Sequence, residues 1–174
     1  MFSGGAPLNK EVAEFFHAIG MPLLEGYGLT ETSGAATFNK ADDYKLGSAG
    51  KAIAGMRVSI LGIDYSDKGP NGEIIGEVCL QGSSVMQGYY NRGEDTTLAA
   101  NGVFHSGDIG YLDARGFLHI TDRLKDIIVM SNGKKVAPQP IEKNVQALCP
   151  LIENICLVGD HRNYITALVV PAGI

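Results

Sequence analysis

Gly26-Tyr27-Gly28-Leu29-Thr30-Glu31-Thr32 sets two glycines around an aromatic and follows them with a hydroxyl, a carboxylate and a second hydroxyl. Glycine lets a main chain turn sharply and lets a ligand approach the backbone. A Thr hydroxyl can donate to a phosphate oxygen, and a neighbouring Glu offers a hard oxygen to Mg²⁺. The set suits a nucleotide phosphate and its metal; a plain Gly-rich turn before a polar element is the alternative. Phe104-His105-Ser106-Gly107-Asp108 places an Asp after a Gly-containing strand end. Such a carboxylate can accept two hydrogen bonds from a ribose diol, or it can cap its own turn. Ile120-Thr121-Asp122-Arg123-Leu124-Lys125-Asp126 adds a planar guanidinium able to bridge hydroxyls or a phosphate. Its Lys125 and Asp126 equally suit solvated charges on a linker.

The elements that must hold these residues change character along the chain. Ser3–Leu8 is expected to be a loop that opens a helix over Asn9–Ile19, with Asn9 as cap. Val12, Phe15, Phe16 and Ile19 recur at helical spacing, and Gly20 ends the run. Pro22–Glu25 is expected to be a short buried strand that delivers a Gly26–Thr32 turn, in the manner of an α/β layer. From Leu46 to Thr121 short alternating segments such as Arg57–Leu61 and Gly76–Gln81 are separated by turns at Lys68–Gly72 and Ala114–Gly116. That pattern predicts an antiparallel β-barrel or sandwich, with one short helix over Gly93–Ala99. After Arg123 the spacing predicts a strand at Asp126–Met130, a turn at Ser131–Lys134 and a returning strand at Lys135–Ala137. A helix from Pro140 to about Leu148 follows, its amino end favoured by Glu142, then strands at Ile155–Gly159 and Tyr164–Val170. Two strands and one helix leave an apolar face uncovered, which predicts a further segment downstream.

The 174 residues are 45% hydrophobic, which is ordinary for a chain that buries a core, and 23 of them are glycine. A net charge of −5 gives no basic footprint, so nucleic acid is not an expected partner. Cys79, Cys149 and Cys156 form no CxxC pair and suit free thiols of a reducing compartment. Asn9, Lys10, Glu11 and Glu14 interrupt the amino-terminal apolar residues, against a signal peptide. A soluble, cytoplasmic chain is expected, with peripheral membrane contact only through parts outside it.

Five motifs, in order, carry a resemblance over essentially the whole chain: Ser3–Leu8, Gly26–Thr32, Gly76–Tyr90, Phe104–Asp108, and Thr121–Asp126 with Gly133–Glu142. They resemble the acyl-adenylate-forming superfamily of acyl- and aryl-CoA synthetases, peptide-synthetase adenylation domains and firefly-type luciferases. Within it the chain looks most like long- or medium-chain fatty acyl-CoA synthetases. The resemblance implies a mixed α+β fold. Residues 1–45 would end a large α/β AMP-binding domain, 46–123 would be its β-barrel-like subdomain, and 124–174 would start a small mobile carboxyl-terminal domain. It implies ATP, Mg²⁺ and CoA as cofactors and a fatty acid as substrate. By position, Gly5, Ala6 and Pro7 would pack beside adenine, with Glu25, Gly26, Tyr27 and Gly28 completing that pocket. Thr30 would bond the α-phosphate, Glu31 would hold Mg²⁺, and Asp108 with Arg123 would hold the ribose. Lys125 would be the hinge, and Gly133, Lys134 and Lys135 would form the loop on the CoA side.

The family's phosphate-wrapping loop is expected upstream of Ser3 and its catalytic lysine downstream of Ile174, so the chain is expected to be a fragment, inactive alone and prone to self-association. A carrier-loading adenylation domain and a non-catalytic binding module are the competing readings. Other residues receive bland expectations. His105 would pack beside the nucleotide, and Tyr89-Tyr90 and Phe15-Phe16 would be core or interface. Glu73 and Glu77 would be solvated or bonded to a turn.

Overall fold

The computed structural model describes residues 1–6, 8–62, 68–91, 98 and 101–173. Pro7 lies outside them, as does the expected helix over Gly93–Ala99 except for Leu98. The chain is mixed α+β, mostly sheet. Strand β1 (Phe2–Ser3) runs parallel to β2 (Leu24–Leu29), joined through helix α1 (Lys10–Ala18). Ser3 is thus the end of a strand, where a loop was expected. The Asn9 side chain accepts from the Glu11 and Val12 amides and starts α1, and Gly20, at φ +79°, follows its end.

A tight turn at Thr30–Thr32 sends the chain back along β3 (Gly34–Phe38), and β4 (Lys51–Ala52) adds to β3. Gly26, Tyr27 and Gly28 therefore lie inside β2, not in the turn expected there. Their glycines serve close strand approach. A Cβ at Gly26 would sit 2.4 Å from the Phe38 ring, and one at Gly28 only 1.9 Å from the Gly34 carbonyl oxygen.

The second sheet is a meander of β5 (Met56–Gly62), β6 (Gly76–Gly82), β7 (Phe104–Leu112) and β8 (Leu118–Arg123). It is the expected antiparallel region in an open form, with β5 and β8 at its two edges. Val78, Leu80, Phe104 and Leu118 bury their side chains against Ala36 of the first sheet, with Tyr27 and Leu29 packed alongside. Two main-chain bonds, Ala49 N to Leu118 O and Leu118 N to Gly50 O, both 2.8 Å, tie the sheets together. The β6–β7 pairing bulges on β7, where Ser106–Asp108 lie opposite Val78, and the β7–β8 pairing bulges on β8 at Thr121.

A turn at Leu124–Asp126 leads into the hairpin of β9 (Ile128–Val129) and β10 (Lys135–Val136). Helix α2 (Pro138–Leu148) starts two residues before the expected Pro140, because Pro138 is itself suited to the first helical position. β11 (Ile152–Val158) and β12 (Thr166–Pro171) close the chain as an antiparallel pair. Glu142 ties α2 to this pair by accepting the Leu157 amide at 2.7 Å. Every residue of β12 is exposed, Leu168 by 68%, so the expected uncovered apolar face is present. The Gln139 amide donates to the buried Asp122 carboxylate at 3.3 Å and joins α2 to β8. Among the described residues no helix is long and apolar enough to cross a membrane.

Candidate functional site

Antiparallel pairing sets Asp108 on β7 opposite Arg123 on β8. The Arg123 Nε lies 3.1 Å from Asp108 Oδ1, and the Tyr27 hydroxyl donates to Asp108 Oδ2 at 2.7 Å. Asp108 is only 4% exposed, so these two donors supply hydrogen bonds that solvent cannot. Burial pushes the Tyr27 hydroxyl far above its ordinary value; Ser106 and Arg123 oppose the shift and the Asp108 charge adds to it. Tyr27 consequently remains a donor at any physiological pH.

The segment before Asp108 is clamped. Gly107 takes φ +71°, a backbone that L side chains rarely adopt. The Ser106 hydroxyl donates to the Val78 carbonyl at 2.7 Å and accepts the Asp108 amide at 3.1 Å. Glu77 accepts the Gly107 amide on Oε1 at 3.0 Å, while its Oε2 lies 2.9 Å from His105 Nδ1. Glu77 is buried, so of its two expected roles, solvated or bonded to a turn, the solvated one does not hold: the β7 bulge at Ser106–Asp108 brings residues 105–107 over it. Glu73 does bond a turn, accepting the Asn71 amide at 2.8 Å.

Most of the residues singled out by sequence converge on adjoining clefts. Gly5, Ala6, Glu25, Gly26, Tyr27 and Gly28 line one of about 320 Å³, which Asp108 and Arg123 also reach. Pro7 lies outside the described residues. Burial pushes the Glu25 carboxyl up, against bonds from the Leu8 and Gly47 amides. Thr30 and Glu31 open on a neighbouring cleft along β2, and Glu31 shares a third with Asp108, Arg123 and Lys125. The two threonines divide. Thr30 is exposed, whereas Thr32 is buried, accepting the Leu29 amide at 2.9 Å and donating to the Gly34 carbonyl at 2.7 Å. Glu31 presents a half-buried carboxylate to two of the clefts, a hard-oxygen donor that fits Mg²⁺.

Gly133, Lys134 and Lys135 are not brought to these clefts. They belong to the β9–β10 hairpin, Lys135 in β10 and the other two in the turn, where Gly133 (φ +80°) donates its amide to Met130 O at 2.8 Å. Conversely, three contributors were missed. The Tyr89 hydroxyl bonds the Glu31 carboxylate, so Tyr89 is a site residue and not core, while Tyr90 is 92% exposed. Nothing local links Tyr89 to a residue 58 positions away. Gln139 and Lys143 of α2 line the cleft that holds Glu25 and Asp108; their spacing of four on one helix face was the available signal.

The family profile described as "AMP-binding enzyme" matches residues 1–90, and that of the "AMP-binding enzyme C-terminal domain" matches 125–173. Long-chain-fatty-acid–CoA ligase ACSBG1 of Homo sapiens is 42% identical over 171 residues, 97% of this chain and 22% of the relative. Long-chain-fatty-acid–CoA ligase ACSBG2 of Gallus gallus is 39% identical over 170 residues, again 97% of this chain and 21% of the relative. The chain thus spans about a fifth of the length of these curated relatives. Among solved structures, o-succinylbenzoate CoA synthetase (MenE) from Bacillus subtilis, in complex with an acyl-adenylate, superposes with a TM-score of 0.83 at 27% identity. The match covers 99% of this chain and 36% of that one. ATP-bound MatB from Rhodopseudomonas palustris superposes with a TM-score of 0.82 at 32% identity, over 98% of this chain and 35% of that one.

Proposed function

The chain belongs to the AMP-binding enzyme family, and from that membership we propose that it forms the nucleotide-holding wall of an ATP-dependent fatty acid–CoA ligase. In the first half-reaction a fatty acid carboxylate attacks the α-phosphorus of ATP, the bond to the bridging oxygen breaks, and pyrophosphate leaves. In the second, the CoA thiolate attacks the acyl carbon and AMP leaves. Both steps need positioning and neutralised charge more than covalent help from the protein.

In this reading Asp108 accepts from the ribose hydroxyls and Arg123 donates to them. Gly5, Ala6, Pro7 and Glu25–Gly28 flank adenine. Thr30 donates to the α-phosphate. Glu31 holds Mg²⁺, with its carboxylate oriented by Tyr89; the ion neutralises triphosphate charge when bound. Residues 1–45 and 46–123 belong to one large domain, and 124–174 begin a smaller one that turns about Lys125. That motion carries Gly133, Lys134 and Lys135 to the CoA side, consistent with a hairpin that lies away from the clefts. A cytoplasmic location goes with the supply of ATP and CoA and with three free thiols. The fatty acid as substrate rests on the names of the relatives.

The observation that carries the reading is the buried Asp108 carboxylate, held by Tyr27 and Arg123 on the wall of a cleft that β2 leaves open. The test is ATP-dependent CoA-thioester formation by the complete protein that contains this chain, with acids from acetate to stearate. A thioester with long-chain acids is expected. No product with any fatty acid would overturn the reading.

A further inference from the structure

Three donor side chains outside the nucleotide wall meet on the second sheet. Val78, Leu80 and Phe104 face the core, so strand alternation turns Glu77, Cys79 and His105 to the opposite face. Cys79 and His105 are direct partners in the β6–β7 register, with Sγ 3.7 Å from Nδ1. His105 Nδ1 lies 2.9 Å from Glu77 Oε2. One donor atom from each of the three falls within 4.8 Å of the others, and no other group among the described residues does so. Tetrahedral zinc, with bonds of about 2.0–2.3 Å, sets its ligand atoms about 3.3–3.6 Å apart. The cluster is therefore within small rotamer adjustments of a coordination shell.

The surroundings also suit an ion. Glu77 and Cys79 are buried, while the His105 side chain is 28% exposed and opens on the cleft shared by Glu31 and Asp108. His105 is thus the member of the cluster nearest solvent. Glu77 Oε1 already accepts the Gly107 amide, which leaves Oε2 to ligate while the amide orients the carboxylate.

We propose that Glu77, Cys79 and His105 form a three-ligand site for a divalent cation of the zinc class, with a water as the fourth ligand. Thiolate and imidazole select borderline-soft metals over Mg²⁺, so the site is chemically distinct from Glu31. Burial, and then the Glu77 charge, push the Cys79 thiol up, so the metal-free chain keeps the S–H bond. Binding replaces that S–H bond with an S–metal bond and releases the proton to solvent. Because Glu77 also clamps Gly107, next to Asp108, the ion would stiffen the loop that presents Asp108.

The experiment uses the 174-residue chain with Co²⁺ and Zn²⁺ alone, so it stands apart from the ligase reading. One equivalent of Co²⁺ is expected to give a thiolate-to-metal charge-transfer band with tetrahedral visible bands, and Zn²⁺ is expected to displace it. Cys79→Ser should abolish the charge-transfer band, and His105→Gln should weaken Zn²⁺ binding at least about tenfold. Cys149→Ser and Cys156→Ser should leave both unchanged. His105 is partly exposed, so its variant remains informative if Cys79→Ser fails to fold. Absence of one-to-one binding, binding unaltered by His105→Gln, or a band that survives Cys79→Ser would overturn the proposal.

Discussion

The Tyr27 hydroxyl reaches Asp108 Oδ2 at 2.7 Å across 81 positions of sequence, joining a strand of the first sheet to a strand of the second. The bond orients the buried carboxylate, whose oxygens keep lone pairs for a further hydroxyl. Tyr27→Phe keeps the packing and removes that one bond. Hydrogen bonds to charged groups contribute about 1.5–3 kcal/mol, so Tm should fall visibly, and AMP affinity should fall about tenfold as Asp108 loses the partner that orients it. Calorimetric titration of AMP into wild type and variant decides it; equal affinities would remove Tyr27 from the site.

Thr30 and Thr32 should separate function from stability. Thr32→Ala leaves the Leu29 amide and the Gly34 carbonyl without their partner, a cost of about 1–3 kcal/mol visible in thermal melts. Thr30 is exposed at the cleft, so Thr30→Ala should leave Tm unchanged and lower adenylate formation by the complete protein about tenfold or more. Pyrophosphate release reports the second effect.

Gly28→Ala should unfold the first sheet. The added Cβ would lie 1.9 Å from the Gly34 carbonyl oxygen, and both neighbours are main chain that cannot swing away. A loss of about 3 kcal/mol or more is expected, at the upper end for overpacking. Gly5→Ala meets open space and carries only the strain of φ +84°, about 1–2 kcal/mol. Urea midpoints for the two variants should rank in that order.

Asp113 should give the fold an acid dependence. Its Oδ2 lies 2.6 Å from Lys45 Nζ, and its Oδ1 accepts the Arg115 and Phe117 amides, each at 2.9 Å. Burial alone would push this carboxyl up, but Lys45 and those amides together hold it well below the usual range. A folded value below the unfolded one contributes stability that is fully present above the ordinary value of about 3.9 and is lost as pH falls below it. Tm should therefore drop between about pH 5 and pH 2 in wild type and change less over that window in Asp113→Asn. Parallel Tm profiles for the two proteins would remove Asp113 as the cause.

Local patterns were legible wherever the determinant is local. Asn9 caps α1 and Gly20 ends it because both act through their own few residues. The Ser131–Lys134 turn follows from Gly133, the one position there with a left-handed backbone. Alternation at Arg57–Leu61 marked β5, which turns one face inward, and the apolar residues of Gly76–Gln81 marked β6, which is buried on both faces through Leu80. The same logic misassigned Gly26–Gly28. A glycine that lets a strand pass close to Phe38 looks, in one dimension, like a glycine that turns.

The sequence by itself determined which chemical groups are available and in what order: Thr30, Glu31, Asp108, Arg123 and Lys125, on strands and turns that its periodicities dictate. Only the tertiary structure decided what each group faces. The β7 bulge at Ser106–Asp108 makes Glu77 the clamp on Gly107 and a neighbour of Cys79 and His105. Packing of the two sheets sets Tyr27 on Asp108, and the approach of residue 89 sets a phenol on Glu31. The physical reason is strand pairing: the extra residues of β7 between Ile109 and His105 loop over Glu77, and which segment pairs with which sets every such neighbour. That pairing joins distant segments, which no local window of sequence contains.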